Sequence, residues 1–193
     1  MERPEIISAF GVESLLTVEC ARAIIQHMDE IEQSKPITLE QTFAGIVEFS
    51  GKLVRRGPVR KAERKIRGKQ AGRVDLVLWN AGGTPRVMVE IKRKSGRQGL
   101  EADAVRIIDF LESFGKIGGG SLRYGLVATL FHRRGNRTKA QVETMVKTRG
   151  DALTKLVKTK GAAVSWGSAE WIAIPDYSDE GEERVCSVVY CFT

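Results

Sequence analysis

The hydrophobic rhythm of the chain changes several times along its length. Over residues 1–34 apolar side chains recur at helical spacing, as Val12, Leu15, Leu16, Val18, Ala21, Ile24, Ile25, Met28 and Ile31. Ser34-Lys35-Pro36 closes this stretch, because a residue before proline is pushed out of the helical region. Thr38 opens a second predicted helix with the capping-box spacing Thr38-x-x-Gln41. Leu39, Phe43, Ile46, Val47, Ser50, Leu53 and Val54 form its inner stripe, and Gly57-Pro58 stops it. Residues 59–67 read as a first strand at a sheet edge or as a short helix.

From Arg73 the period falls to two. Val74, Leu76 and Leu78 alternate with Asp75, Val77 and Trp79; Val87, Val89 and Ile91 alternate with Met88, Glu90 and Lys92. Asn80-Ala-Gly-Gly-Thr-Pro85 between them is turn chemistry, so residues 73–92 predict a β-hairpin. After a basic turn, Leu100, Ala104, Ile107, Ile108, Leu111 and Phe114 share a helix face. Tyr124–Phe131 is nearly continuously apolar, as suits a central strand buried on both faces, and Gly118–Gly120 makes a flexible joint before it. Thr138–Thr159 predicts a long basic helix with Val142, Met145, Val146, Ala152, Leu153, Leu156 and Val157 inward and a break at Gly150. Ala162–Trp166 and Trp171–Ile174 read as strands around a Gly167-Ser168 turn, and Val185–Phe192 as a last strand after an acidic loop. The helix between the hairpin and the strand at 124 is a crossover, which makes that strand parallel to a neighbour in a mixed sheet. The expected class is α/β.

Composition narrows the class without deciding it. A chain of 193 residues, 42% hydrophobic and 28% charged, is enough for a folded core. No apolar run approaches membrane-spanning length, and the start MERPEIISAF lacks a signal peptide's apolar core, so a cytoplasmic protein with no membrane partner is expected. Cys20, Cys186 and Cys191 form no metal spacing, and an odd count argues against a disulfide framework. The chain has no His-Glu-x-x-His, no Gly-x-Ser-x-Gly and no phosphate-binding Gly-x4-Gly-Lys-Ser/Thr loop. The formal net charge of +7 suggests a polyanionic partner, and its distribution sharpens this. Lys52, Arg55, Arg56, Arg60, Lys61, Arg64, Lys65, Arg67, Lys69 and Arg73 lie in one stretch whose only acid is Glu63. Such a run is a solvated face or a phosphate contact. Lys94, Arg97, Arg133 and Arg134 extend the candidate set for nucleic-acid contact.

A hairpin closing symmetrically about Gly82 and Gly83 sets Asp75 opposite Glu90 on one face, with Cβ atoms roughly 4.5–5.5 Å apart. Lys92, two residues on, shares that face. Two adjoining carboxylates repel unless a cation lies between them. Two acids with a lysine at a strand end therefore suggest a divalent-metal site beside an amine. The bland reading takes Asp75 as a turn acid and Glu90 with Lys92 as an ordinary strand face.

Asp75 followed on the next strand by Glu90-Ile91-Lys92 resembles the PD-(D/E)XK nuclease superfamily, with Val74 where the signature has proline. The resemblance covers about residues 38–131. It implies a restriction-endonuclease-like mixed central sheet flanked by helices, here as residues 37–193 behind an N-terminal helical extension at 1–36. It implies a Mg²⁺- or Mn²⁺-dependent nuclease, with Asp75, Glu90 and the Ile91 carbonyl on the metal and Lys92 beside the attacking water. The family's preceding helix carries a Glu, for which Glu40 and Glu48 compete. On a helix Glu40 lies about 80° from the centre of the apolar stripe and Glu48 nearly opposite it, so Glu40 is the better placed, though a helix-start acid is an equal reading. His132 is a weaker candidate near the metal. DNA is expected ahead of RNA as the partner, with a homodimer left open. Two other classes compete: a non-catalytic nucleic-acid-binding module on the same fold, and a structural protein whose charge is incidental.

Overall fold

The computed structural model describes residues 4–31, 35–51, 72–92, 96–116, 120–133, 138–169, 172–174 and 183–193. The chain is α/β, with an open mixed sheet. Its elements are α1 (Pro4–Glu30), β1 (Ile37–Thr42), α2 (Phe43–Gly51), β2 (Arg73–Trp79), β3 (Pro85–Lys92) and α3 (Arg97–Phe114). There follow β4 (Tyr124–Arg133), α4 (Lys139–Lys158), β5 (Val164–Ser168), β6 (Ile172–Ile174) and β7 (Glu183–Phe192). No helix among the described residues is long and apolar enough to cross a membrane. The chain divides into two compact units, one of residues 1–91 and 109–125, the other of residues 92–108 and 126–193.

In the first unit β1, β2 and β3 form an antiparallel ladder in chain order. The hairpin closes as its turn residues predict: Gly83 takes φ 73°, its N–H bonds the Asn80 carbonyl at 2.9 Å, and Asn80 Nδ2 bonds Thr84 Oγ1 at 3.1 Å. A register irregularity lies at Leu78/Trp79, beside the turn. The core joins Phe43, Ile46 and Val47 of α2 to Val77, Trp79 and Met88 of the hairpin and to Phe110 and Phe114 of α3. Phe43 meets Phe110 edge-on at 4.8 Å. The close packing needs Gly72, since a Cβ there would lie 2.1 Å from the Phe43 ring.

One predicted helix boundary is wrong. Thr38–Thr42 does not begin a helix; it is strand β1, paired with β2, and α2 starts only at Phe43. The tertiary partner wins over the local pattern, because Thr38 Oγ1 accepts a hydrogen bond from Trp79 Nε1 at 2.9 Å instead of capping a helix. Thr42 takes the capping role, its Oγ1 accepting from the Gly45 N–H at 3.1 Å. In α1, Thr17, Ala21 and Met28 are buried, whereas Leu15, Val18 and Ile25 from the predicted inward stripe are exposed.

In the second unit β7 has β4 on one side and β5 and β6 on the other. The expected turn at Gly167-Ser168 does not form. Strands β5 and β6 both pair antiparallel with β7, and Gly167 and Ser168 lie in strand opposite Val189 and Val188. Alternation along β7 buries Cys186, Val188, Tyr190 and Phe192. In β4, Val127, Thr129 and Phe131 are buried while Leu126, Ala128 and Leu130 are half-buried, so only one face is fully covered.

Helix α4 also corrects an expectation, for Gly150 does not break it. Val142, Val146, Gly150, Leu153 and Val157 form its buried stripe. A Cβ on Gly150 would lie 2.4–2.6 Å from three indole atoms of Trp166. The glycine leaves room for the Trp166 indole against the helix. Gly150→Ala gains about 1 kcal/mol in helix propensity but overpacks the indole, which costs about 1–3 kcal/mol. A lower denaturation midpoint for the variant is expected, and an unchanged or raised midpoint would contradict this packing.

Tyr190 lies under Trp166 at 6.5 Å between ring centroids, and its hydroxyl meets no hydrogen-bond partner among the described residues. Burial pushes its pKa up from 10.0 to about 12, with Arg149 opposing and Cys186 adding to the rise. The fold therefore prefers the neutral phenol. Its contribution to stability is complete below pH 10 and is lost as pH rises toward 12. Titration at 295 nm should show a late-ionising tyrosine near pH 12 that Tyr190→Phe removes. Because no hydrogen bond is given up, that variant should be at least as stable as wild type at neutral pH.

Candidate metal centre

The hairpin carries Asp75 and Glu90 to neighbouring positions. The β2–β3 ladder pairs Leu78 with Val87, Val77 with Met88 and Leu76 with Val89. One step further in the same register sets Asp75 against Glu90, where opposed Cβ atoms lie about 4.5–5.5 Å apart. The backbone pairing stops at Leu76, and here a side chain takes over: the Ile91 N–H donates to Asp75 Oδ2 at 2.6 Å. This short, charge-assisted bond fixes the Asp75 side chain against β3. Asp75 Oδ1 enters no hydrogen bond or ion pair among the described residues.

Glu90 is 2% exposed, and Asp75 is half-buried. A solvated strand face does not look like this. Asp75, Val77 and Trp79 share one side of β2, with Met88 and Glu90 beside them on β3, so the two acids continue an apolar row. A buried carboxylate needs compensation by hydrogen bonds or a cation. Lys92 is the last residue of β3 and is half-buried. It follows Glu90 by two, so strand alternation gives both the same side.

Asp75 interrupts pairing on its other side as well. The β1–β2 ladder pairs Leu39 with Leu76 and Gln41 with Val74 but omits the intervening pair, Glu40 with Asp75. Glu40 has φ 51°, the one positive-φ residue other than glycine among those described. It is therefore a strand residue, not the helix carboxylate expected from the sequence. Its carboxylate is exposed and lies 3.9 Å from Arg73 Nη1, itself exposed. Glu48, the rival on α2, is exposed too.

The other candidates divide cleanly. Arg73 lies two residues before Asp75 in β2, on the same side of the strand. Arg97, in the first turn of α3, is exposed and pairs with Glu101 at 2.8 Å. Arg56, Arg60, Lys61, Arg64, Lys65, Arg67, Lys69, Lys94 and Arg134 lie outside the described residues, as does the predicted strand at 59–67. Arg133 and His132 end β4.

All the donors here are oxygens, which suits a hard divalent cation and disfavours one that seeks nitrogen or sulfur. Two carboxylates are the number that Mg²⁺ commonly takes from protein, keeping waters for the rest. Among the described residues no group of three or more His, Cys, Asp or Glu side chains gathers into a metal cage. Two carboxylates alone would leave most positions around such an ion to water. The sequence signal that placed Asp75 and Glu90 was strand parity. The Asp75–Ile91 bond and the conformation of Glu40 had no sequence signal. Compared with family models, characterised proteins and solved structures, the chain matches none.

The left-handed conformation of Glu40 costs a residue with a Cβ about 1–2 kcal/mol, and the exposed ion pair to Arg73 returns little of it. Glu40→Gly and Glu40→Ala both remove the carboxylate, and only glycine takes this φ freely. Urea denaturation should find the glycine variant more stable than the alanine variant by about 1 kcal/mol. Equal stabilities would mean that the backbone there relaxes without cost.

Proposed function

We propose that the protein is a metal-dependent nuclease that hydrolyses phosphodiester bonds, acting on DNA in preference to RNA. The observation that carries the proposal is the Asp75 carboxylate held by the Ile91 N–H at 2.6 Å, one register step from buried Glu90. The resemblance of Asp75…Glu90-Ile91-Lys92 to the PD-(D/E)XK signature supports the same reading.

A phosphodiester resists water because its negative charge repels the nucleophile. Mg²⁺ or Mn²⁺, when bound, neutralises that charge and lowers the pKa of a water ligand. Asp75 and Glu90 would hold the ion, with the Ile91 carbonyl as a third oxygen. The Ile91 N–H would keep Asp75 in one rotamer, so little ordering is left for the binding step. Lys92 Nζ has three protons to donate and no acceptor. Beside the site it would orient the attacking water and offset charge on the phosphate oxygens. Arg73, on the Asp75 side of β2, would contact a backbone phosphate. The basic run from Lys52 would add affinity without sequence specificity.

The test is cleavage of duplex, single-stranded and branched DNA, and of RNA, with Mg²⁺ or Mn²⁺. Asp75→Ala should lose metal affinity and cleavage together. Lys92→Ala should lose cleavage by a factor of 100 or more, on the order of a lost general acid–base contribution, while metal and DNA still bind. Wild-type protein that cuts none of these substrates, or a Lys92→Ala variant cutting at the wild-type rate, would sink the proposal. DNA binding without cleavage would instead support a binding module.

A further inference from the structure

Helix α4 presents a second charged surface that the centre at Asp75 does not use. Its buried stripe is turned to the core, and Thr144, Lys147, Thr148, Asp151, Thr154, Lys155 and Lys158 are all exposed. At about 100° per residue the three lysines fall within about 80° of one another. They extend over eleven residues, roughly 16 Å of helix axis. Lys139 pairs with Glu143 at 3.8 Å. Lys147, Lys155 and Lys158 enter no ion pair among the described residues, although Asp151 stands four residues from both Lys147 and Lys155. The threonine hydroxyls fold back onto the helix, donating to the carbonyls of Ala140, Thr144 and Gly150 at 2.8–2.9 Å. The face is consequently low, with lysines standing above short side chains.

We propose that this face of α4 is a docking surface for the phosphate backbone of duplex nucleic acid. Charge complementarity names the occupant: three uncommitted ammonium groups, spaced along a rod, face a polymer with one negative charge per about 1.7 Å of axis. Lysine side chains meet phosphate without reading bases, and the low threonine surface lets a backbone come close to them. An anionic membrane is the rival polyanion, but a helix that lies in a bilayer interface needs large apolar residues beside its cations. This face has none. The proposal stands on α4 alone and does not depend on the metal centre.

The experiment measures binding of the full chain to a fluorescent 20-base-pair DNA duplex in EDTA, by anisotropy, across a salt series. The triple variant Lys147→Ala, Lys155→Ala, Lys158→Ala should fold, since alanine favours helix, and equal thermal midpoints check this. Its slope of log affinity against log salt should be shallower than wild type by about 2 to 3. Asp151→Asn should act in the opposite sense and bind the duplex more tightly. An unchanged slope in the triple variant overturns the proposal. So does a loss confined to phosphatidylserine vesicles, or absence of duplex binding by wild type. Cleavage in Mg²⁺ is read separately: an unchanged slope with cleavage intact removes this surface and leaves the Asp75 centre standing, and a reduced slope without cleavage does the reverse.

Discussion

The candidate centre depends on the register between β2 and β3. Side chains alternate along a strand, so a slip of one residue would send Glu90 to the face opposite Asp75. Two features hold the register. Val77, Trp79 and Met88 must stay on the side that packs against Phe43, Ile46 and Phe110, and a slip would expose them. The turn at Asn80–Thr84 closes with its own hydrogen bonds, which fixes the count of residues between the strands. The acids are therefore brought together by apolar packing and turn geometry, not by any attraction of their own.

The Asp75 side chain also changes what the strand end can do. An antiparallel ladder normally satisfies each inward N–H with a carbonyl of its neighbour. Here the Ile91 N–H turns to a carboxylate, so β2 and β3 are joined at this point by a side chain. An anion fixed in place by a backbone donor needs little reorganisation to receive a cation. That is how a centre can be positioned before anything binds.

Where sequence reading worked, a non-local pattern agreed with the local one. The hairpin was legible because period-two alternation on both strands and turn residues between them point the same way. Counting from the turn gives the same register as the observed pairs Leu78–Val87, Val77–Met88 and Leu76–Val89. Where it failed, a partner distant in sequence decided the outcome. Thr38-x-x-Gln41 and Thr138-x-x-Gln141 have the same spacing. The second is a true capping box, with both of its hydrogen bonds formed at the start of α4. The first is β1, because Trp79 and an open strand edge lay within reach of Thr38. Gly150 misled for the same reason: its helix-breaking tendency is local, whereas Trp166, its reason for being there, comes sixteen residues later. The helical reading of Glu40 fails too, since no local pattern marks a glutamate for a left-handed backbone.

Glu40 has a consequence beyond the centre. Among the described residues, strand β1 ends the sheet order, with β2 its one neighbour in the ladder. Its far edge is a row of backbone groups to which a strand from another molecule could add, the usual first step of edge-to-edge aggregation. A left-handed residue in the middle of the six residues of β1 breaks that row into two short pieces. An incoming strand would find no continuous template, and a charged carboxylate stands at the break. The backbone conformation that costs the fold some stability also makes this edge a poorer template for strand addition.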